Sequence, residues 1–133
     1  MRLLLLFFIS VSILGACTST ENMHTENFER GPDITEINPS LSILDHLKRV
    51  PGLTIFQRGD DVGVFMRGIS TIYGENNVLF VVNGTPISNS YFDLIQAVDV
   101  NDVKDIKLLR SSMGSQFYGM RGANGVVEIT TKW

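Results

Sequence analysis

The sequence predicts an α+β domain in which a small mixed β-sheet carries short helices. Three observations lead there. Short apolar stretches at strand spacing alternate with stretches at helical spacing. Gly, Pro, Asn and Asp punctuate them at intervals of a few residues. The chain of 133 residues is long enough for one core and too short for two.

The ends of the chain differ in kind. Met1-Arg2 opens a run from Leu3 to Leu14 that holds no charge. Its length is that of the apolar stretch of a secretory signal, below the roughly 20 residues that span a bilayer. Leu14-Gly15-Ala16-Cys17 closes it, and Cys17 is the one cysteine of the chain. An ordinary secretory signal followed by a chance cysteine is the alternative reading. The small residues before Cys17, and its place at the end of the apolar run, favour a lipidation signal over residues 1–16. Residues 18–36, TSTENMHTENFERGPDITE, hold five acids and one base and few aliphatics. Such a composition buries too little surface to order itself, so residues 17–36 read as a lipidated cysteine and a flexible tether.

A folded domain is expected over 37–133. Asn38-Pro39-Ser40 starts a helix, and Leu41, Leu44, Leu47 and Val50 follow at helical spacing. Lys48 and Arg49 suit the negative end of its dipole, and Pro51-Gly52 stops it. On this spacing His46 lies on the exposed side beside Lys48. Leu53–Arg58 and Val62–Arg67, joined by Gly59-Asp60-Asp61, form a hairpin. Gly68–Asn77 is a loop. Val78–Val82 is the most apolar strand of the chain, and Asn83-Gly84 turns it into Thr85-Pro86-Ile87. Leu94–Val98 is a short helical or irregular piece, and Asn101–Val103 a capped turn. Lys104–Arg110 alternates around Ile106 and Leu108 as a half-buried strand. Ser111–Tyr118 is a helix ended by Gly119, and Val126–Thr131 is a last strand.

Composition narrows the function. Eleven basic and fourteen acidic residues give a net charge of −3, with no basic stripe for a nucleic acid. One cysteine and two histidines, His24 and His46, supply neither a disulfide framework nor a zinc site, and no cofactor site is expected. No serine has a nameable His/Asp partner, so an enzyme is not expected. Asp99, Asn101, Asp102 and Asp105 lack the ligand set and glycine of a calcium loop and read as a helix cap plus a solvated face. Gly119, Gly122 and Gly125 follow a helix and precede a strand, the reverse of a phosphate-cradling loop, and suit close backbone approach instead.

Specific residues carry a family resemblance. Pro51-Gly52-Leu53, Arg67-Gly68-Ile69 and Val81-Val82-Asn83-Gly84-Thr85-Pro86-Ile87 resemble the plug domain of TonB-dependent outer-membrane receptors. So do Val103–Arg110, Phe117-Tyr118-Gly119, Arg121-Gly122-Ala123-Asn124-Gly125-Val126-Val127 and Ile129–Lys132. The last part is similar to the SusC/RagA branch. Asn83 stands where the family usually has Asp. The leader and Cys17 similarly resemble a bacterial lipoprotein lipobox, which implies acylation of Cys17 and cleavage before it. Thr18 and Ser19 follow, with no aspartate of the kind that retains lipoproteins at the inner membrane. The outer membrane, on its periplasmic face, is the expected location.

The plug resemblance implies outer-membrane nutrient uptake. In the family a large barrel, of the class with about 22 strands and a plugged lumen, follows the plug. Here the sequence reaches Trp133 where that barrel would begin, and the tether shows no evident TonB box. The expectation is an accessory or regulatory lipoprotein without a barrel of its own; the alternative is a transporter remnant without separate activity. Expected partners are the membrane through the lipid, a receptor barrel or partner lipoprotein, and a glycan, siderophore-type or other nutrient ligand. Arg67 and Arg121 occupy positions whose counterparts in the receptors tend to pair with barrel-wall glutamates. Here they face water, find internal acids, or meet carboxylates from another chain. Tyr73, Asn76, Asn77, Tyr91 and Phe92 are placed in loops, and plug loops face the ligand side in the receptors.

Overall fold

The computed structural model describes residues 30–68 and 76–133. Among them are seven strands: β1 (Arg30–Ile34), β2 (Leu53–Arg58), β3 (Asp61–Met66), β4 (Leu79–Val82), β5 (Thr85–Ser88), β6 (Val103–Leu109) and β7 (Val126–Thr131). Three α-helices join them: α1 (Ile43–Arg49), α2 (Tyr91–Ala97) and α3 (Ser111–Tyr118). Two 3-10 turns, Val100–Asp102 and Gly119–Gly122, lead into β6 and follow α3. The main sheet has the order β1-β6-β7-β4-β5, and β2–β3 is a separate hairpin. β4 runs parallel to β7, while the other pairs are antiparallel. This is the expected mixed α+β arrangement.

The sheet is buried on both faces. On one, Phe80, Ile106, Leu108, Val127 and Ile129 pack with Ile43, Leu47 and Val50 of and after α1, Leu53, Val64 and Met66 of the hairpin, and Leu94 of α2. On the other, Leu79, Val81, Leu109 and Val126 pack with Met113 and Tyr118 of α3. Strand β4 therefore has no solvent face, which explains its unbroken apolar sequence. Each such side chain, fully buried, contributes about 1.5–3 kcal/mol. The hairpin joins the sheet through a bridge between Phe65 and Asn77 and a bond from Val78 N to Val64 O of 2.9 Å.

Helix α1 begins at Ile43, three residues later than the Pro39-Ser40 signal implied, because Ser42 is the cap. Its Oγ accepts from Asp45 N at 3.2 Å, and Asp45 Oδ2 accepts from Ser42 N at 3.4 Å, a reciprocal capping box. The expectation that His46 is exposed fails: its exposure is 0%. The buried side of α1 is Ile43, His46, Leu47 and Val50, the i, i+3, i+4, i+7 series one step round from the apolar series read in the sequence. The imidazole Nε2 donates to Asn38 O at 3.0 Å, so Nε2 carries a proton.

Two further expectations are corrected. Residues Arg30–Ile34 already form a strand, ahead of the boundary at Ile37, because β1 pairs with β6. Backbone pairing supplies that strand's stability, with Ile34 packed on the core, so the polar composition of 18–36 misled over residues 30–34. Asp99 does cap a helical turn, accepting from Asn101 N at 2.8 Å. Asp105, by contrast, is not solvated: it sits on β6, buried, with Lys107 Nζ 3.8 Å away.

Candidate docking and ligand-facing site

Arg67, directly after β3, stands at the rim of a cavity of about 350 Å³ lined by Pro51, Gly52, Met66, Arg67, Leu108 and Arg110. The main chain sets its position. Gly52 adopts a φ of 99°, which glycine alone reaches without strain, and its carbonyl accepts from Arg67 N at 2.7 Å. Arg110 stands at the end of β6, immediately before α3. Both arginines are exposed. Among the described residues no acid lines the cavity, and Arg67 and Arg110 bring two guanidinium groups to a partly apolar recess. Such a recess suits a carboxylate or similar oxyanion, which guanidinium binds in bidentate fashion.

Arg121 does not share this cavity. It is exposed on the turn after α3, and its Nη2 donates to Ile87 O of β5 at 3.4 Å, a long bond to a neutral acceptor. Arg110, which the sequence reading did not single out, lines the cavity with Arg67.

A second recess, of about 390 Å³, is lined by Asp61, Val62, Asn77, Ser88, Asn89 and Ser90. Asn77 builds it. Its Oδ1 accepts from Val64 N at 3.2 Å and its carbonyl from Asn89 Nδ2 at 3.1 Å. Ser88 Oγ accepts from Ser90 N at 3.1 Å. The Ser90 hydroxyl, although at the cap position of α2, makes no capping bond. Its described residues thus present amides, hydroxyls and the Asp61 carboxylate, groups suited to a hydroxyl- or amide-rich ligand.

The other site residues scatter. Asn76, half-buried, neighbours this recess in sequence. Tyr91 and Phe92 lie on the first turn of α2 and not in a loop, a correction explained by Leu94, which anchors that helix in the core. Tyr91 is packed against the core. Burial raises its phenol above the ordinary value, opposed by a hydrogen bond with the Leu44 backbone. The direction of that opposition means the Leu44 N–H donates to the phenolic oxygen. Tyr91 therefore serves the first turn of α1. Phe92 is 63% exposed and, with Ile95, leaves α2 apolar toward solvent. Tyr73 and Cys17 lie outside the described residues.

Comparisons with known proteins agree with this architecture. Residues 31–126 match the family model of the TonB-dependent Receptor Plug Domain. The TonB-dependent receptor P26 of Formosa agariphila is 32% identical over 101 residues, which cover 72% of this chain and 10% of that receptor. The vitamin B12 transporter BtuB of Vibrio vulnificus is 32% identical over 94 residues, 68% of this chain and 15% of the transporter. The matched region is thus a small fraction of these relatives' length. Among solved structures, the RagAB peptide importer in its closed-closed state superposes with a TM-score of 0.59 at 26% identity, covering 77% of this chain and 12% of its counterpart. The match takes in both recesses, the hairpin and the main sheet up to the start of β7, and by it the chain belongs to the TonB-dependent receptor plug domain family.

Proposed function

We propose that this plug domain works in nutrient uptake at the outer membrane as a non-enzymatic binding module with an accessory or regulatory role. In this reading acyl chains on Cys17 hold it at the periplasmic face, and it docks on a receptor barrel. The observation that carries the docking step is the exposed Arg67 at the rim of a recess with no acid among its described lining residues. Carboxylates on a barrel wall would pair with Arg67 there. Two or more acyl chains would anchor the domain stably, at about 0.8 kcal/mol per buried CH₂.

The recess around Asn77 is the ligand-facing part of the proposal. Its amides and hydroxyls suit a glycan or another nutrient rich in polar groups. The relatives' own names point to varied cargo, since one is a vitamin B12 transporter and one a peptide importer. The remnant reading finds less support. Caps, turn glycines and a two-sided core agree with one another, as expected of a sequence still selected to fold.

The test is a pull-down of the tagged full chain from outer membranes in mild detergent. A barrel receptor should co-purify as a separate polypeptide. Arg67→Ala and Arg110→Ala should each weaken its recovery, Arg121→Ala should matter less, and Cys17→Ala should release the protein from the membrane. Recovery without any barrel, or recovery indifferent to both arginines, would overturn the docking role.

A further inference from the structure

Asn83 is followed by Gly84 in the two-residue turn between β4 and β5, and both adopt positive φ, 49° and 80°. An asparagine before glycine is chemically labile, because the glycine nitrogen carries no neighbouring side chain to block it. Here nothing lies within 4 Å of the position a Gly84 Cβ would take. Asn83 is itself exposed to solvent. Reactivity then depends on where its side chain points.

Three hydrogen bonds decide that. Asn83 N donates to Ile129 O at 2.9 Å. Its Nδ2 donates to Thr131 Oγ1 at 2.8 Å, and its Oδ1 accepts from Thr131 N at 2.9 Å. The side-chain amide thus pairs with Thr131 as another peptide group would, and extends the parallel pairing of β4 with β7. In the sheet, β7 and β5 lie on opposite sides of β4. The amide is held toward β7 while the Gly84 peptide turns away toward β5.

We propose that Asn83 is a deamidation site that the folded sheet keeps closed, with Thr131 as its guard. When the end of β7 opens, the Gly84 nitrogen loses its proton to water and attacks Asn83 Cγ. A C–N bond forms, the Cγ–Nδ2 bond breaks, and ammonia leaves, giving a five-membered succinimide. Water then opens the ring to aspartate or isoaspartate. One water enters, one ammonia departs, and no oxidant is needed. Aspartate keeps the acceptor for Thr131 N. Isoaspartate puts an extra methylene into the backbone of the two-residue turn, which unpairs β5, and β5 ends at Ser88 in the polar recess. The site therefore marks chains whose sheet has opened, and one of its products removes the ligand-facing recess.

The test follows the mass gain of about one dalton at Asn83 in peptide digests of the full chain, aged in detergent, folded or in urea. Folded wild type should deamidate far more slowly than protein in urea. Thr131→Val, which keeps the β-branched shape but removes the hydroxyl, should accelerate the folded rate several-fold to roughly tenfold, the factor set by the net strength of one hydrogen bond. Thr131→Ser should stay near wild type, and in urea all three should react alike. Asn124-Gly125 supplies an internal reference that the Thr131 substitutions should not alter. A wild-type folded rate equal to that in urea would overturn the proposal. So would a folded Thr131→Val chain that reacts no faster than wild type; the comparison of folded with urea-treated wild type stands even if that variant misfolds.

Discussion

His46 donates from Nε2 to the main-chain carbonyl of Asn38, 3.0 Å away, and so ties helix α1 to the segment that brings the chain in from β1. The imidazole is fully buried, and among the described residues its Nδ1 has no hydrogen-bond partner. His46→Ala removes the bond, leaves the Asn38 carbonyl with the Leu41 N–H alone, 3.1 Å away, and opens a cavity on the buried side of α1. The expected loss is about 3 kcal/mol, read as a lower urea midpoint with an unchanged slope. An unchanged midpoint would mean that the contact contributes nothing.

Gly114 of α3 and Gly122 of the following turn touch backbone to backbone. A Cβ built on either would collide with the carbonyl oxygen of the other. Neither backbone can yield without shifting α3 off Leu109 and Val126, so Gly122→Ala should cost about 3 kcal/mol, the upper part of the overpacking range. Gly59 provides the contrast: its φ is 62° and nothing lies near its missing Cβ. Gly59→Ala should cost only the left-handed conformation, about 1 kcal/mol. Equal thermal shifts for the two variants would contradict this division between steric and conformational causes.

These positions show where the sequence could and could not be read. The β2–β3 hairpin, β4 and α3 were legible because each carries its own periodicity and its own stop. β1 was not, since Arg30-Gly31-Pro32-Asp33 has no apolar alternation and its order comes from pairing with β6. For α1, Leu41 and Leu44 tilted the apparent apolar face and hid the Ile43-His46-Leu47-Val50 side. Tyr91 read as a loop residue because Leu94 is the lone buried anchor of α2. At the arginine recess only Arg67 was foreseen; Arg110 reaches it through the crossover from β6 into α3, a tertiary relation that local patterns do not contain.

The Ser42–Asp45 capping box gives an acid-side prediction. The Ser42 hydrogen bonds, aided by Lys48 nearby, hold the Asp45 carboxyl below its ordinary value of 3.8. Its folded pKa being depressed, Asp45 contributes stability above the unfolded value that is lost as pH falls through the folded one. Ser42→Ala should lower stability by about 1 kcal/mol near neutrality. The gap from wild type should narrow in urea titrations as the pH falls below 3.8 and through the depressed folded value, where Asp45 becomes protonated in the wild type as well. A gap constant from pH 7 to pH 2 would show that Asp45 takes no part in the cap.

Tyr91 gives the alkaline counterpart. Its phenol is raised above 10.0, first by burial, so it contributes stability that is fully present below pH 10 and is lost as pH rises through the folded value. Tyr91→Phe should remove that alkaline loss. It should also cost about 1 kcal/mol at neutral pH, because the Leu44 N–H loses its acceptor. Stability curves for the two proteins should therefore converge above pH 10, and parallel curves would assign the alkaline transition to another group.

Docking through Arg67 and Arg110 predicts a difference between charge and shape. A lysine keeps the charge but offers a compact ammonium where the guanidinium presents a planar fork, so a bidentate carboxylate contact is lost while the attraction at a distance remains. Arg67→Lys should then lower barrel recovery nearly as far as Arg67→Ala. Raising the salt concentration should weaken the exposed rim contacts of every variant to a similar extent. Arg121→Lys should change neither, since its long bond to Ile87 O asks only for a donor. If Arg67→Lys binds as wild type does, the recess acts only as a diffuse positive field, and no specific carboxylate enters it.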